Sequence, residues 1–209
     1  MIPVKVLAVR YLASASDALC RELGVPEGYP SLAMLTTDCD DATYIALDAA
    51  TKAADVKVCY GRSFYAGASN ASTPNAGEVI GILAGATPGA VRSGMEAALA
   101  VLQRVGFRQT GEVPYLAHTV SSVGSYLAKE AGIAEGTAVA YLIAPPLEAM
   151  YAMDAALKAA DVKLCKLYAP PSETNFGGGL LSGTQSACDA ACAAFAEAVA
   201  EVAGRPKEG

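Results

Sequence analysis

The sequence predicts an α/β fold, an α+β sandwich, built twice along one chain. Three observations carry that prediction. Residues 46–59 read ALDAATKAADVKVC and residues 152–165 read AMDAALKAADVKLC, with 11 of 14 positions identical at a spacing of 106. Short β-branched runs and helical periodicities alternate in the same order through both copies. Alanine fills 44 of the 209 positions and tryptophan is absent, so helices with small side chains are expected to lie close against the sheets.

The repeat reaches beyond its best-matched segment. LCRELGVPEG at 19–28 faces LAKEAGIAEG at 127–136, and LAGATPGAVRSGMEAALAV at 83–101 faces LSGTQSACDAACAAFAEAV at 181–199. The spacing shrinks along the chain, which puts the main length difference between Cys59 and Gly85. The boundary falls in the Gly-, Pro- and Gln-containing stretch Val105–Pro114, giving expected domains over 1–106 and 114–204. Two copies are too few for a solenoid, so two similar domains are expected side by side.

Within the first copy, VKVLAVRYL at 4–12 alternates loosely and reads as a strand. Ser14 with Asp17 resembles a capping box before ALCREL, and Gly24 supplies the stop. SLAMLTT at 31–37 is a second strand. From Asp41 to Ala54, Tyr44, Leu47 and Thr51 share one helical face, with Asp41 where a helix start favours negative charge. Val56–Tyr60 is a short strand with Lys57 outward, and residues 61–76 form a Gly/Ser/Asn/Pro loop. Glu78–Ala84 is a strand, and Thr87-Pro88 opens a helix running to Arg104 as an N-cap and first-position pair. The second copy repeats this order, its last helix spanning 185–203 with Gly204 as the stop.

Composition narrows the function. Hydrophobic residues at 53% against 17% charged exclude intrinsic disorder, and the low charge implies surface buried in partners. A net charge of -6 without Lys/Arg clusters argues against nucleic acid and against an anionic membrane surface. No uncharged apolar run reaches the roughly 20 residues of a membrane helix. The start MIPVKVLAVRYL lacks a signal-peptide layout, so a cytoplasmic protein is expected. The six cysteines, at 20, 39, 59, 165, 188 and 192, contain no CxxC and accompany a single histidine. They are expected to be buried thiols of a reducing cytosol rather than metal ligands.

No enzymatic motif appears, and no cofactor or metal is expected. There is no P-loop, GxGxxG, HExxH, GxSxG or EF-hand loop. The run Gly177-Gly178-Gly179 leads into a strand and reads as relief of crowding rather than a phosphate cradle. The acidic trio Asp38, Asp40 and Asp41 reads either as a solvated helix cap or as a site for a small cation. His118 has its counterpart at about Val9 in the sister copy, which makes it a strand position rather than a catalyst.

Two units that each carry DAA-KAADVK into a strand resemble the bacterial microcompartment shell domain. The loop YGRSFYAGASNASTPNAGEV, then LAHTVSSVGSYLAKEAGI, YLIAPPLEAMYAMDAALKAADV and PPSETNF extend the resemblance over nearly the whole chain, toward the tandem-domain, trimeric type of shell protein. The boundary GFRQTGEVPY is shorter than the family pattern. The resemblance implies circularly permuted domains and a homotrimer of six domains. Such discs tile with other shell proteins into a layer around enzymes, here of an ethanolamine-utilising compartment. It puts Lys52 and Lys158 at the disc edge. It lines a small pore with Asp40, Asp41, Glu78, Phe107, Thr174, Asn175 and Phe176, where carboxylates would focus potential on a small cation such as ethanolamine. A shell tile of a choline or propanediol compartment, or a two-domain small-molecule sensor, are the alternative expectations.

Overall fold

The computed structural model describes residues 1–64, 77–170, 172 and 174–207. The elements follow the predicted order: β1 (Val6–Leu12), α1 (Asp17–Glu22), β2 (Ser31–Thr37), α2 (Asp40–Ala53), β3 (Val56–Ser63), β4 (Val79–Gly85) and α3 (Pro88–Leu102). The second set is β5 (Arg108–Thr110), β6 (Val113–Val120), α4 (Ser125–Ala131), β7 (Ala138–Ala144), α5 (Pro146–Ala159), β8 (Val162–Tyr168), β9 (Gly177–Gly183) and α6 (Gln185–Gly204). The chain divides into two compact units. The first contains Pro3–Val105 with Gly124–Leu127; the second contains Met1–Ile2, Gly106–Val123 and Ala128–Gly209.

The first unit holds a four-stranded antiparallel sheet in the order β1-β2-β4-β3. Alternate residues of β4 face the helices α2 and α3. A Cβ on Gly81 would stand 2.6 Å from Leu47 Cδ1, and one on Gly85 2.8 Å from Val91 Cγ1. Ala42, Ala46 and Ala50 of α2 are fully buried, which is the close helix approach that small side chains permit. The opposite face buries Ala15, Leu32, Ile82 and Ala84 beneath Cys20, Leu23 and Val25.

The second unit orders its strands β5-β6-β7-β9-β8, again antiparallel. Its core joins Leu142, Leu181 and Met153 to Phe195, Cys188 and the alanines of α5 and α6. The glycine run sits where strands crowd. A Cβ on Gly178, at φ +146°, would meet Leu142 O at 1.9 Å, and one on Gly179 would meet Lys166 O at 2.3 Å.

Several local expectations need correction. Ser16, not Ser14, caps α1, accepting from the Leu19 N–H; Ser16 immediately precedes the first helical residue, as an N-cap must. Gly61–Ser63 continue β3 because β4 offers partners as far as Val79; the rest of the expected loop, residues 65–76, lies outside the described residues. The boundary stretch is a β-hairpin, β5 to β6, turning at Gly111 with φ +57°. Gly204 is the last residue of α6 and Arg205 caps it. Thr87 does cap α3 ahead of Pro88. His118 pairs with Tyr141 in β6–β7, and Arg10 with Met34 in β1–β2. Since Ser31 and Ala138 face the equivalent Gly85 and Gly183, the counterpart of His118 is Arg10, one residue on from Val9.

Candidate functional site: an acidic cluster and an aromatic pair

In the first unit, α2 begins at Asp40 directly after the edge of β2. The Thr37 hydroxyl takes the Cys39 N–H at 3.1 Å and lies 2.7 Å from the Thr43 hydroxyl, fixing the strand-to-helix corner. Asp40 and Asp41 fall in the first helical turn and are both buried, at 9% and 8% exposure. The Asp40 carboxylate accepts the Asp41 N–H at 2.9 Å and bonds the Ser63 hydroxyl, which stands 2.5 Å from Tyr44 Oη. The Tyr44 ring packs on Tyr126 at 6.0 Å. Glu78 enters from the start of β4, its N–H donating to Thr37 O at 2.8 Å. Asp38 completes the group and accepts the Lys5 N–H at 2.7 Å.

These carboxyls are under electrostatic pressure. Burial pushes Asp40 above the ordinary carboxylate range, against the hydrogen bonds from Ser63 and the backbone. Burial also raises Glu78, and the charges of Asp40 and Asp38 raise it further. A group whose proton is held more tightly in the fold supplies stability at acid pH, and loses it as pH rises through the raised pKa. At neutral pH the charges of Asp40 and Glu78 therefore oppose folding, and the cluster concentrates negative potential. The nearby Cys39 thiol is raised by burial and by Asp41. Burial likewise lifts Cys59 and Cys192 to about 11.

In the second unit, Phe107 and Phe176 meet edge to face at 5.4 Å. Phe107 O accepts the Ile2 N–H at 2.7 Å. The turn before β9 is organised by Ser172, whose hydroxyl contacts Thr174 O at 2.9 Å and Phe176 O at 2.7 Å. Thr174 is half-buried and Asn175 exposed. Thus Asp40, Asp41 and Glu78 come together in one unit, and Phe107 with Thr174–Phe176 in the other. Sequence reading missed Ser63, Tyr44 and Ser172. The Ser and Thr of PSETN carry a local turn signal that could have flagged Ser172; nothing local marks Ser63 as a partner of Asp40.

The two lysines differ. Lys52 reaches the fully buried Asp48 at 3.4 Å, while Lys158 pairs with the exposed Asp154 at 2.5 Å. Asp48 is sealed from solvent. It accepts the Gly124 N–H at 2.8 Å and the Leu127 N–H at 2.9 Å. Among the described residues no group of three His, Cys, Asp or Glu side chains is placed to hold a metal ion, and no helix is long and apolar enough to cross a membrane.

A family profile described as the BMC domain matches residues 31–114. The match starts at β2 and leaves β1 and α1 ahead of it, an order that circular permutation produces. The chain is 58% identical to the bacterial microcompartment shell protein EutL of Clostridium perfringens, over 99% of this chain and 97% of the relative. It is 48% identical to EutL of Salmonella typhimurium, over 99% and 96%. The chain belongs to the bacterial microcompartment shell proteins. Within that family it is similar over its whole length to EutL. The crystal structure of ethanolamine utilization protein EutL from Leptotrichia buccalis superposes with TM-score 0.96 at 56% identity, covering 100% of this chain and 98% of that one. EtuB from Clostridium kluyveri, at 20% identity, shares the fold with TM-score 0.82 over 96% of this chain and 90% of that one.

Proposed function

We propose that this chain is a non-catalytic wall tile of an ethanolamine-utilising microcompartment in the cytoplasm. Its two shell domains, over 1–106 and 114–204, assemble as a homotrimer that joins other shell proteins in a layer. The observation that carries this reading is the full-length identity of 58% to a relative named EutL. The absence of nucleophile, base and cofactor motifs supports a wall over an enzyme.

The acidic cluster is the proposed cation-selecting part of a pore. Asp40 and Glu78 are held where their charge costs stability, which a purely structural helix start would not require. Ethanolamine is a cation with a hydroxyl at its other end, so carboxylates attract its ammonium while Ser63-type hydroxyls suit its alcohol. Phe107, Thr174, Asn175 and Phe176 are proposed as lining on their own unit, the rings offering faces to an ammonium. A pore must release what it binds, so affinity should be on the order of millimolar, about -4 kcal/mol. Glu78→Gln keeps the shape and removes one charge. Calorimetry should find ethanolamine bound several-fold more weakly and with less dependence on salt, while binding of neutral glycerol changes little. Parent-like ethanolamine binding by Glu78→Gln would reject this lining.

A further inference from the structure

The corner that carries Asp40 holds two hydroxyl groups in series with its carboxyl. Ser63 donates to the Asp40 carboxylate, and the Ser63 and Tyr44 hydroxyl oxygens are 2.5 Å apart. A serine hydroxyl has one hydrogen to give. With that hydrogen on Asp40, Tyr44 must be the donor to Ser63. Both hydroxyls therefore point their hydrogens toward the one carboxylate, in a chain whose members polarise one another. Asp40 is buried, so these donors replace water that burial has removed.

Packing fixes the far end of the chain. The Tyr44 ring lies against Tyr126 with centroids 6.0 Å apart. Gly61, two residues before Ser63 on β3, leaves room for both rings: a Cβ there would stand 3.0 Å from Tyr126 Oη and 3.4 Å from Tyr44 Cε1. The sister copy builds the same corner without these groups. At the spacing of 106, Asp40, Tyr44 and Ser63 become Pro146, Met150 and Ala169. At the spacing that sets Gly85 against Gly183, Glu78 becomes Phe176. The strand register agrees, since Arg62 pairs with Ile80 as Tyr168 pairs with Gly178. The hydroxyls occur in the copy that has the carboxylates and are missing from the copy that lacks them, so the strand-to-helix corner does not itself need them.

Resting on the cation site proposed above, we propose that Tyr44 and Ser63 are positioning residues that hold the Asp40 carboxylate ready, as a charged acceptor, for an ammonium group. Burial alone favours the neutral carboxylic acid, which offers a cation no charge. Hydrogen bonds to the charged form work against burial, and Ser63 supplies one of them. The other titratable groups at this corner are Asp38, Cys39 and Asp41 on the α2 side and Glu78 on the β4 side. Neither hydroxyl needs to touch the ligand: Tyr44 acts through Ser63, and Ser63 through Asp40. Without the Tyr44 hydroxyl Ser63 is a poorer donor, so Asp40 takes up its proton at higher pH.

Tyr44→Phe keeps the ring on Tyr126 and removes only the hydroxyl, and circular dichroism checks its folding. Ethanolamine binding is measured by calorimetry between about pH 5 and about pH 8, a range over which its amine stays charged as a lysine does. At the alkaline end the variant should bind like the parent. On the acid limb it should bind several-fold more weakly, because fewer molecules carry the Asp40 charge. Ser63→Ala should move that limb at least as far, and adding Tyr44→Phe to it should move it no further. Carbon NMR of the ligand-free protein, with the Asp40 signal identified by its loss in Asp40→Asn, should show Asp40 titrating at higher pH in Tyr44→Phe. A parent that binds no ethanolamine would sink the cation site and this role with it. A parent that binds, with Tyr44→Phe weakened equally at every pH or with an unmoved Asp40 titration, would overturn the relay alone.

Discussion

Asp48 is a carboxylate sealed from solvent that accepts two backbone N–H groups more than seventy residues away in sequence and faces Lys52 at 3.4 Å. Removing it leaves the N–H groups of Gly124 and Leu127 without their acceptor. A buried donor left unsatisfied costs about 1–3 kcal/mol. Asp48→Ala should lower the guanidinium midpoint by a corresponding amount, and an unchanged midpoint would show that the segment Gly124–Leu127 is held by something else. Two carboxyls of the acidic cluster stand differently: burial opposes the charged forms of Asp40 and Glu78, and the charges of Asp40 and Asp38 oppose that of Glu78 further. One chain thus holds an acid that secures the fold and acids that strain it, and surroundings rather than residue type decide which is which.

At the scale of elements, β4 and α2 meet through Gly81 and Leu47 with no spare volume. Gly81→Ala would bring a Cβ to 2.6 Å from Leu47 Cδ1, and overpacking of this kind costs about 1–3 kcal/mol. Gly89, in the first turn of α3, meets nothing nearer than Thr87 Oγ1 at 3.8 Å, and alanine there gains about 0.5–1 kcal/mol of helix propensity. Calorimetric melting should show a lower Tm for Gly81→Ala and a higher one for Gly89→Ala; shifts of the same sign would contradict this packing. The order of elements was legible because each carries its own period and punctuation, such as Thr87-Pro88 before α3. The hairpin β5–β6 was not, because three residues are too few to display alternation. The burial of Asp48 was hidden for a different reason: its local sequence closely matches that around Asp154, and the N–H groups that it accepts come from distant chain. The acids were legible as a cluster near a helix start; their partner Ser63, on another strand, was not.

At the scale of the whole molecule, the proposed tiling makes Lys52 and Lys158 unequal. Lys158, whose side chain is 75% exposed, is free to change without disturbing the core, whereas Lys52 also answers the charge of Asp48. Lys158→Ala should leave the trimer intact and weaken flat arrays seen by electron microscopy, and the double change with Lys52→Ala should weaken them further. Arrays unchanged in both would place the disc edge elsewhere. The two sheets also share an irregularity. In β3 the register slips between Val58 and Tyr60, and in β8 between Leu164 and Lys166, so Cys59 and Cys165 are the extra residue of the same bulge in each copy. Past such a slip, the strand turns its alternate side chains to the opposite face. Reaching the same extra residue, of the same type, twice over would require two matching accidents. The slip is more simply inherited: it is older than the doubling of the chain, and marks both halves as descendants of a single-domain ancestor whose strand was already kinked.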